Sequence, residues 1–462
     1  HPAPATVCAW FDEQKHGSMV ISCDKVEAFR QQQQIFIKKR ISFLQQQPIR
    51  RKAEILPVGM AYHQDKKAEF YSTLAQNIID GAVRLHHCYH TVDKKTGKSA
   101  SIGLVRIANI KQLTRIAFYL QHAQVNQNTH IHVACYHARQ LLILRNRLER
   151  RLDKVLKRSE HDEQLLFTHD DIVQQMTKSQ AKQHIFMVLA TPVAEVGRDH
   201  DYDWAIVEPS SMRSIIQLAG RVWRHRPNKQ VLDSNILILN KNIRALQNHH
   251  GPVFTKPGFE TKKYKLTEHD MIALMSDNHL SQIDARPRIW TDTIKDRPES
   301  LEQLEHTLMH DLFGANKTNY INAYWREAGA SNRIHTHLQQ VSPFRHSIQQ
   351  DEAWVLIPNQ IVDGQGDGFR VYAMEDINQN GLSHANLHNH YIQMMDFDYH
   401  HAQISTWLVC DVYDEIRRLQ THLMVRNLSH VAIQFSKVML DSRQSQWYFS
   451  PFLGMMSERL DC

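Results

Sequence analysis

Gln217, Gly220, Arg221 and Arg224 stand at i, i+3, i+4 and i+7, a spacing that lines one face of a helix. A helix starting near Ser211 turns Met212, Ile215, Ile216, Ala219 and Trp223 to the opposite side, so two guanidiniums and an amide face a cleft while the apolar side packs on a sheet. A guanidinium is always charged and forks onto phosphate oxygens. Two of them one turn apart suit a γ-phosphate whose charge spreads during cleavage, a task worth roughly 10³ to 10⁵ in rate. The competing reading is a surface helix with a basic outer face. Gly220 argues against it, because glycine inside a helix costs about 1 kcal/mol relative to alanine and brings a plain surface nothing in return.

The elements needed to position these side chains are legible from about Ser101 onward. SIGLVRIAN is a strand, Ile110 to Ala123 a helix, THIHVACY a second strand, and Arg139 to Arg158 an amphipathic helix with eight basic and two acidic residues. His184 to Ala190 is a third strand, ending at the loop Thr191 to His200; DWAIVEP is the fourth, and VLDSNILILN closes the series after the arginine-bearing helix. Short apolar strands alternating with helices predict an α/β fold with a parallel sheet covered on both faces. Ligands of such sheets lie at the carboxyl ends of the strands, where both Thr191–Asp199 and Gln217–Arg224 fall. Ahead of the series, residues 24 to 44 read as a Gln-rich helix ending in Lys38-Lys39-Arg40, with a second basic cluster at Arg50-Arg51-Lys52. Such runs track a nucleic-acid backbone or form solvated faces.

After about Lys241 the alternation is lost. Residues 242–345 read as an extended helical connector, and 346–462 as a separate, mostly α C-terminal domain with one strand pair, AWVLIP and FRVYAM, and helices from about Tyr391 to Leu440. The division expected is 1–25, 26–241, 242–345 and 346–462.

At 462 residues and 42% hydrophobic the chain is long enough for two or three cores. Its charge of +7 permits a phosphate-rich partner without requiring one. Six scattered cysteines with no Cys-x-x-Cys pair indicate neither a disulfide framework nor a structural zinc site, and fit a reducing cytoplasm. No apolar run approaches membrane-spanning length and no secretory leader opens the chain, so membrane insertion and secretion lack support.

These residues resemble superfamily 2 helicases and, within them, the type I-F CRISPR-associated helicase-nuclease. The strings that carry the likeness are GLVRIANI (103–110), CYHARQLLILRNRLERRLD (135–153), ATPVAEVGRDHDYD (190–203) and QLAGRVWRHRP (217–227), with IDARPRI, LEHTLM, SPFR and AWFDE as weaker ones. The resemblance implies that residues 26–241 are a RecA-like second helicase lobe and 1–25 a remnant of the first. A small fused domain, an HD nuclease domain and the first lobe would lie ahead of residue 1. It implies ATP and Mg²⁺ held mainly by that first lobe, and a divalent metal in the HD domain. The implied partners are single-stranded DNA, an RNA-guided surveillance complex and CRISPR adaptation proteins, in target-DNA degradation in the cytoplasm. By the same resemblance Arg221 and Arg224 contact the γ-phosphate, Gln217 places the attacking water, and Gly197, Asp199 and Gly220 belong to the nucleotide side of the site. Thr191, Asn109, His137 and Arg139 are the expected DNA-backbone contacts.

Several strings are decoys. Thr96-Gly97-Lys98-Ser99 has Val92 where a phosphate loop needs glycine and precedes a strand instead of following one, and neither Asp12-Glu13 nor Asp351-Glu352 is followed by the required His. The chain by itself is therefore not expected to hydrolyse ATP. Four His-Asp pairs (161–162, 169–170, 269–270, 310–311) arise freely among 31 histidines. The His86, His87, Cys88, His90 cluster is too crowded for one segment to chelate a metal, and its expected role is at a surface or helix end. His384 and His388 are read in the same way, and no metal ligand is assigned. Two other readings remain: a superfamily 2 helicase outside CRISPR, which the presence of an upstream HD domain would decide, and a non-catalytic partner-binding module.

Overall fold

The computed structural model describes residues 7–12, 17–22, 26–59, 62–195, 197–247, 250–255, 257–289, 298–313, 351–380, 382, 385 and 391–460. The first elements are an antiparallel pair, β1 (Val7–Asp12) and β2 (Gly17–Ser22), and helix α1 (Val26–Gln45). There follow β3 (Ala53–Leu56), α2 (Lys67–Tyr89), β4 (Thr91–Val92), β5 (Ser99–Arg106), α3 (Ile110–Tyr119), β6 (Thr129–Tyr136), α4 (Leu142–Val155), α5 (Asp170–Lys178), β7 (Gln183–Ala190), β8 (Trp204–Val207), α6 (Met212–Ala219) and β9 (Ile236–Leu239). Short helices α7 (Ile243–Leu246), α8 (Met271–Leu274), α9 (Asp277–Ser281) and α10 (Arg286–Ile289) lead to α11 (Leu301–Phe313). The last segment holds β10 (Asp351–Pro358), β11 (Phe369–Ala373), β12 (Tyr391–Met394), β13 (Ile404–Thr406), β14 (Lys437–Asp441), β15 (Gln446–Ser450) and β16 (Gly454–Met456).

One sheet organises the molecule, in the order β13-β6-β7-β5-β8-β9-β3 with every neighbouring pair parallel and β4 antiparallel beside β5. Successive side chains of its strands point to opposite faces. Ile102, Leu104, Phe186, Val188, Ala205 and Val207 face Leu152 of α4, Ile172 of α5 and Ile215 and Leu218 of α6. Val105, Ile185, Met187, Trp204 and Ile206 face Leu74 and Ile78 of α2 and Ile116 of α3. Burial on both faces explains why these strands read as continuous apolar runs.

The eight expected elements from β5 to β9 are all present, most of them within a few residues at each end, and α5, between α4 and β7, was not anticipated. Two elements of the sheet's other half were not anticipated: α2, and β3, which pairs with β9 as the far edge strand. The expectation of a separate, mostly α C-terminal domain is corrected. Among the described residues its strands and helices are comparably represented, β10 lies between β11 and β14, and β15 lies between β12 and β16. It is also not separate, since β13 extends the main sheet alongside β6 and Tyr399, Phe452 and Leu453 join the core under α3. The anticipated strand pair is present as β10 and β11. AWFDE extends into, and SPFR, His384 and His388 lie wholly within, residues outside those described. No described helix is long and apolar enough to cross a membrane.

The decoys have structural jobs. Residues 93–98 form the hairpin turn between β4 and β5, closed by Asp93 N–H to Lys98 O at 2.8 Å, and Lys98 Nζ donates to the carbonyls of Met176 and Ser179. The His86, His87, Cys88, His90 cluster closes α2, as expected of a helix end; within it His86 is buried, hydrogen-bonds Ser101 Oγ at 2.8 Å and Ser99 Oγ at 3.2 Å, and burial pulls its pKa down to about 3. Among the described His-Asp pairs, Asp162 and Asp270 serve as helix caps and Asp311 meets Tyr264 and Lys263.

Two predictions follow from this packing. Gly103 faces Trp204 across β5 and β8, and a Cβ there would lie 2.2 Å from the indole ring. Gly103→Ala is therefore expected to lose about 1–3 kcal/mol by overpacking, read as a lowered midpoint in urea unfolding. On α11, Glu305 accepts a hydrogen bond from the backbone N–H of Arg213 at the start of α6, and burial pushes its pKa up to about 7 from 4.5. A raised carboxyl pKa means the native state favours the protonated form, so this contribution is full at acid pH and is lost as pH rises through about 7. The melting temperature of the parent minus that of Glu305→Gln should fall across that window; a constant difference would refute the assignment.

Candidate functional site at the carboxyl edge of the sheet

Three strand ends build the edge. β7 delivers Thr191 and a single 3-10 turn, Pro192–Ala194, before Glu195. β5 ends in Arg106, whose guanidinium is wholly buried, and β8 is followed by Ser211, which caps α6 by accepting from Ser214 N–H at 3.1 Å. The Glu195 carboxylate is ion-paired with Arg106, Nε lying 2.8 Å from Oε1, and the same Oε1 accepts from Ser214 Oγ at 2.6 Å, while Arg106 Nη2 donates to Ser214 Oγ at 2.8 Å. Loop, strand and helix are thus joined through one buried carboxylate.

α6 does not carry all four motif residues, which corrects the single-face expectation. The helix ends at Ala219 with Gly220 as its C-cap. Arg221 N–H turns back to Leu218 O and Val222 N–H to Ala219 O, a tightened last turn, and Trp223 takes a positive φ of 49°. The chain is drawn aside because Val222 is buried beside Tyr202: Tyr202 N–H donates to Arg221 O at 2.9 Å and Trp223 N–H to Tyr202 O at 3.1 Å. Gly220, at φ −61°, is a cap and not a helix-interior glycine. Gln217 remains on the helix, half-buried.

The two arginines differ in their surroundings. Arg221 is 8% exposed; its Nη2 donates to the backbone carbonyl of Glu195 at 2.7 Å, and its buried Nη1 has no partner among the described residues. Burial, and then Arg224, lower its pKa, although a guanidinium stays charged. Arg224 is exposed and donates through Nε to Asp199 Oδ1 at 2.5 Å. That bond, with His225 nearby, holds the Asp199 carboxyl below its ordinary value. Exposed pairs of this kind contribute about 0–1 kcal/mol, so a better anion can take Arg224 from Asp199 at little cost. Gly197, exposed at φ +73°, supplies the left-handed turn of the same loop.

A second group of charges was not anticipated. Arg226 is buried between Asp201, at 2.6 Å, and Asp203, at 2.7 Å, and also donates to Tyr202 O; Arg158 adds a contact to Asp203 at 3.4 Å. Although burial pushes the Asp203 carboxyl up, Arg158 and Arg226 hold it below its usual value. The Asp-x-Asp spacing before β8, two like-facing acids next to a buried strand, was the available signal.

The expected DNA contacts are scattered along the edge. Thr191 is buried, with its N–H bonded to Tyr136 O at 3.1 Å, and Asn109 is exposed at the start of α3. Glu208, at the end of β8, accepts from the Ala108 and Ile243 N–H groups and so fixes that loop. His137 as a backbone contact is corrected: it is wholly buried, its ring hydrogen-bonds the Leu453 carbonyl at 2.9 Å, and burial lowers its pKa to about 4. Arg139 is half-buried, 5.2 Å above the Trp447 ring, and its carbonyl accepts from Met455 N–H. Both residues seat the β15–β16 turn, where a Cβ on Gly454 would come within 2.8 Å of His137. The basic helix is largely paired, with Arg147 to Glu415 and Arg151 to Asp171. Among the described residues no group of three or more His, Cys, Asp or Glu could hold a metal ion.

Residues 99–227, which contain Glu195 and the motif arginines, match the family model described as CRISPR-associated nuclease/helicase Cas3, C-terminal. The chain is 34% identical over 97% of its length to the CRISPR-associated nuclease/helicase Cas3 subtype I-F/YPEST of Pseudomonas aeruginosa, and covers 40% of that protein. It is 38% identical over 76% of its length to the protein of the same description from Pectobacterium atrosepticum, covering 32% of it. A crystal structure of T. fusca Cas3 with ATP aligns over 46% of this chain and 20% of its own at 14% identity and a TM-score of 0.28. The chain thus spans about two fifths of the length of the first of these relatives, and it is similar to a C-terminal portion of the subtype I-F Cas3 nuclease/helicases.

Proposed function

We propose that this chain is the part of an ATP-dependent single-stranded DNA translocase that presents arginines to a nucleotide held by a preceding RecA-like lobe. In this reading residues 26–241 are the second lobe, 1–25 the tail of the first, 242–345 a connector and 346–462 a C-terminal domain packed on the lobe's sheet. The phosphate loop, the Mg²⁺ ligands and an HD nuclease with its divalent metal belong to the preceding part of the protein. Its action is degradation of target DNA after recruitment by an RNA-guided surveillance complex in the cytoplasm, with CRISPR adaptation proteins as further partners.

The observation that carries the proposal is Arg221, a buried guanidinium at the ligand edge of the sheet with Nη2 anchored on the Glu195 carbonyl and Nη1 without a partner among the described residues. Leaving a buried donor unmade costs about 1–3 kcal/mol, and such a cost is commonly retained at functional sites. ATP, when bound, supplies the γ-phosphoryl group and the free energy of its transfer to water. Arg221 is already aimed and needs little reorganisation to meet developing negative charge. Arg224 is exchangeable, leaving Asp199 for a phosphate and returning to it afterwards. Gln217, half-buried on the same edge, orients water. Gly197 lets the loop turn between these arginines and Thr191, and Gly220 ends α6 so that Arg221 can reach Glu195. Thr191, Asn109 and Arg139 line the path assigned to the DNA backbone, where hydroxyls, amides and guanidiniums meet phosphates.

Replacing Arg221 by Ala in the full-length protein is expected to lower DNA-stimulated ATPase by about 10³-fold or more and abolish unwinding, with ATP affinity changed only a few-fold. An ATPase rate equal to the parent's would sink the proposal.

A further inference from the structure

We infer that Glu195 is the positioning residue for Arg221, its carboxylate serving to aim its own backbone carbonyl. This rests on the reading of Arg221 given above and names what holds that side chain in place.

The geometry is specific to one residue. The Glu195 carbonyl receives Arg221 Nη2 at 2.7 Å, while the Glu195 carboxylate is fixed on one side by Arg106 Nε at 2.8 Å and on the other by Ser214 Oγ at 2.6 Å. All four residues are at least nine-tenths buried. Arg106 ends β5, Ser214 lies in the first turn of α6, and Glu195 follows the 3-10 turn after β7, so the carbonyl's direction is set by three separate elements. A guanidinium is planar, and fixing one end nitrogen together with the stem fixes where the other points. The Nη1 left over is the donor with no partner among the described residues.

A purely architectural role makes a different prediction. Buried ion pairs replaced on both sides by apolar residues of similar size usually leave stability unchanged or improved, whereas removing one partner strands a charge. If the Arg106–Glu195 pair serves only the fold, a matched apolar pair substitutes for it fully. If it aims Arg221, the fold survives and catalysis does not.

The test uses the full-length protein and DNA-stimulated ATPase, with Arg221→Ala as reference. The double variant Arg106→Met/Glu195→Met is expected to melt within a few degrees of the parent, to keep its KM for ATP and its affinity for single-stranded DNA within about twofold, and to lose kcat by at least about tenfold, as misplacement of a reacting group by an ångström does. Ser214→Ala, a milder change that leaves the ion pair in place, should lower kcat by a few-fold with KM unchanged, and it decides the matter if the double variant fails to fold. A parental kcat in a folded double variant, or in Ser214→Ala when the double variant does not fold, overturns the inference while Arg221→Ala still abolishes turnover. A parental kcat in Arg221→Ala overturns the underlying reading instead.

Discussion

The arrangement of the site depends on one buried guanidinium. Arg226 lies between Asp201 and Asp203 with its Nη2 on the carbonyl of Tyr202, and it is this residue that ties the segment after α6 to the segment entering β8. Breaking such a pair from one side costs about 3–5 kcal/mol, because the stranded charge has no water to return to. The turn containing Arg221 and Arg224 lies between two fixed points, the end of α6 and Arg226. Asp203 also accepts from the Ile102 N–H in the middle of β5, so one of the two carboxylates that hold the turn is locked to the sheet itself. The position of the motif arginines is thereby inherited from the most rigid part of the molecule.

Around this anchor the arginines form a graded series. Arg106, Arg158 and Arg226 are buried against carboxylates, and Arg221 is buried with Nη2 anchored on a carbonyl and Nη1 without a partner among the described residues. Arg224 is exposed against an exposed acid. Desolvation strengthens every electrostatic interaction it surrounds, so the interior arginines are held firmly, Arg221 is anchored at one nitrogen, and Arg224 retains freedom to change partners. A site that must bind and release a highly charged ligand on each cycle needs that gradient: fixed charges to define geometry and loosely held ones to respond.

Much of this was readable in the sequence, for reasons that also explain what was not. Strands buried on both faces read as unbroken apolar runs, so β5, β6, β7 and β8 stood out. β3 has only four residues, one of them Glu54, and α2 distributes its apolar side chains over a broad face without a capping box; neither gives a strong local signal. The end of α6 was misplaced because the i, i+3, i+4, i+7 spacing continues through Gly220, and nothing local reveals that Val222 will be captured by Tyr202. His137 follows a strand end, where ligands gather, yet a turn from more than three hundred residues away covers it. Pairing that is distant in sequence has no local signature. β12 and β13, with three or four residues each and partners far away in the chain, owe their existence to it.

That distant pairing bears on how the lobe holds together. β13 is an edge strand of the main sheet, with Ser405 Oγ between His130 and His132 on β6, and Trp407 packs on Phe186 of β7. Glu458 meets Arg115, Lys67 and Lys111 on the helices that cover the other face, and α11 places Glu305 at the start of α6. An exposed edge of β6 would present unpaired N–H and C=O groups, and β13 removes that liability. The C-terminal segment therefore completes the sheet more than it accompanies it, and because the β15–β16 turn rests on His137 and Arg139, any displacement of the C-terminal segment would be felt at the same strand ends that carry the arginine site.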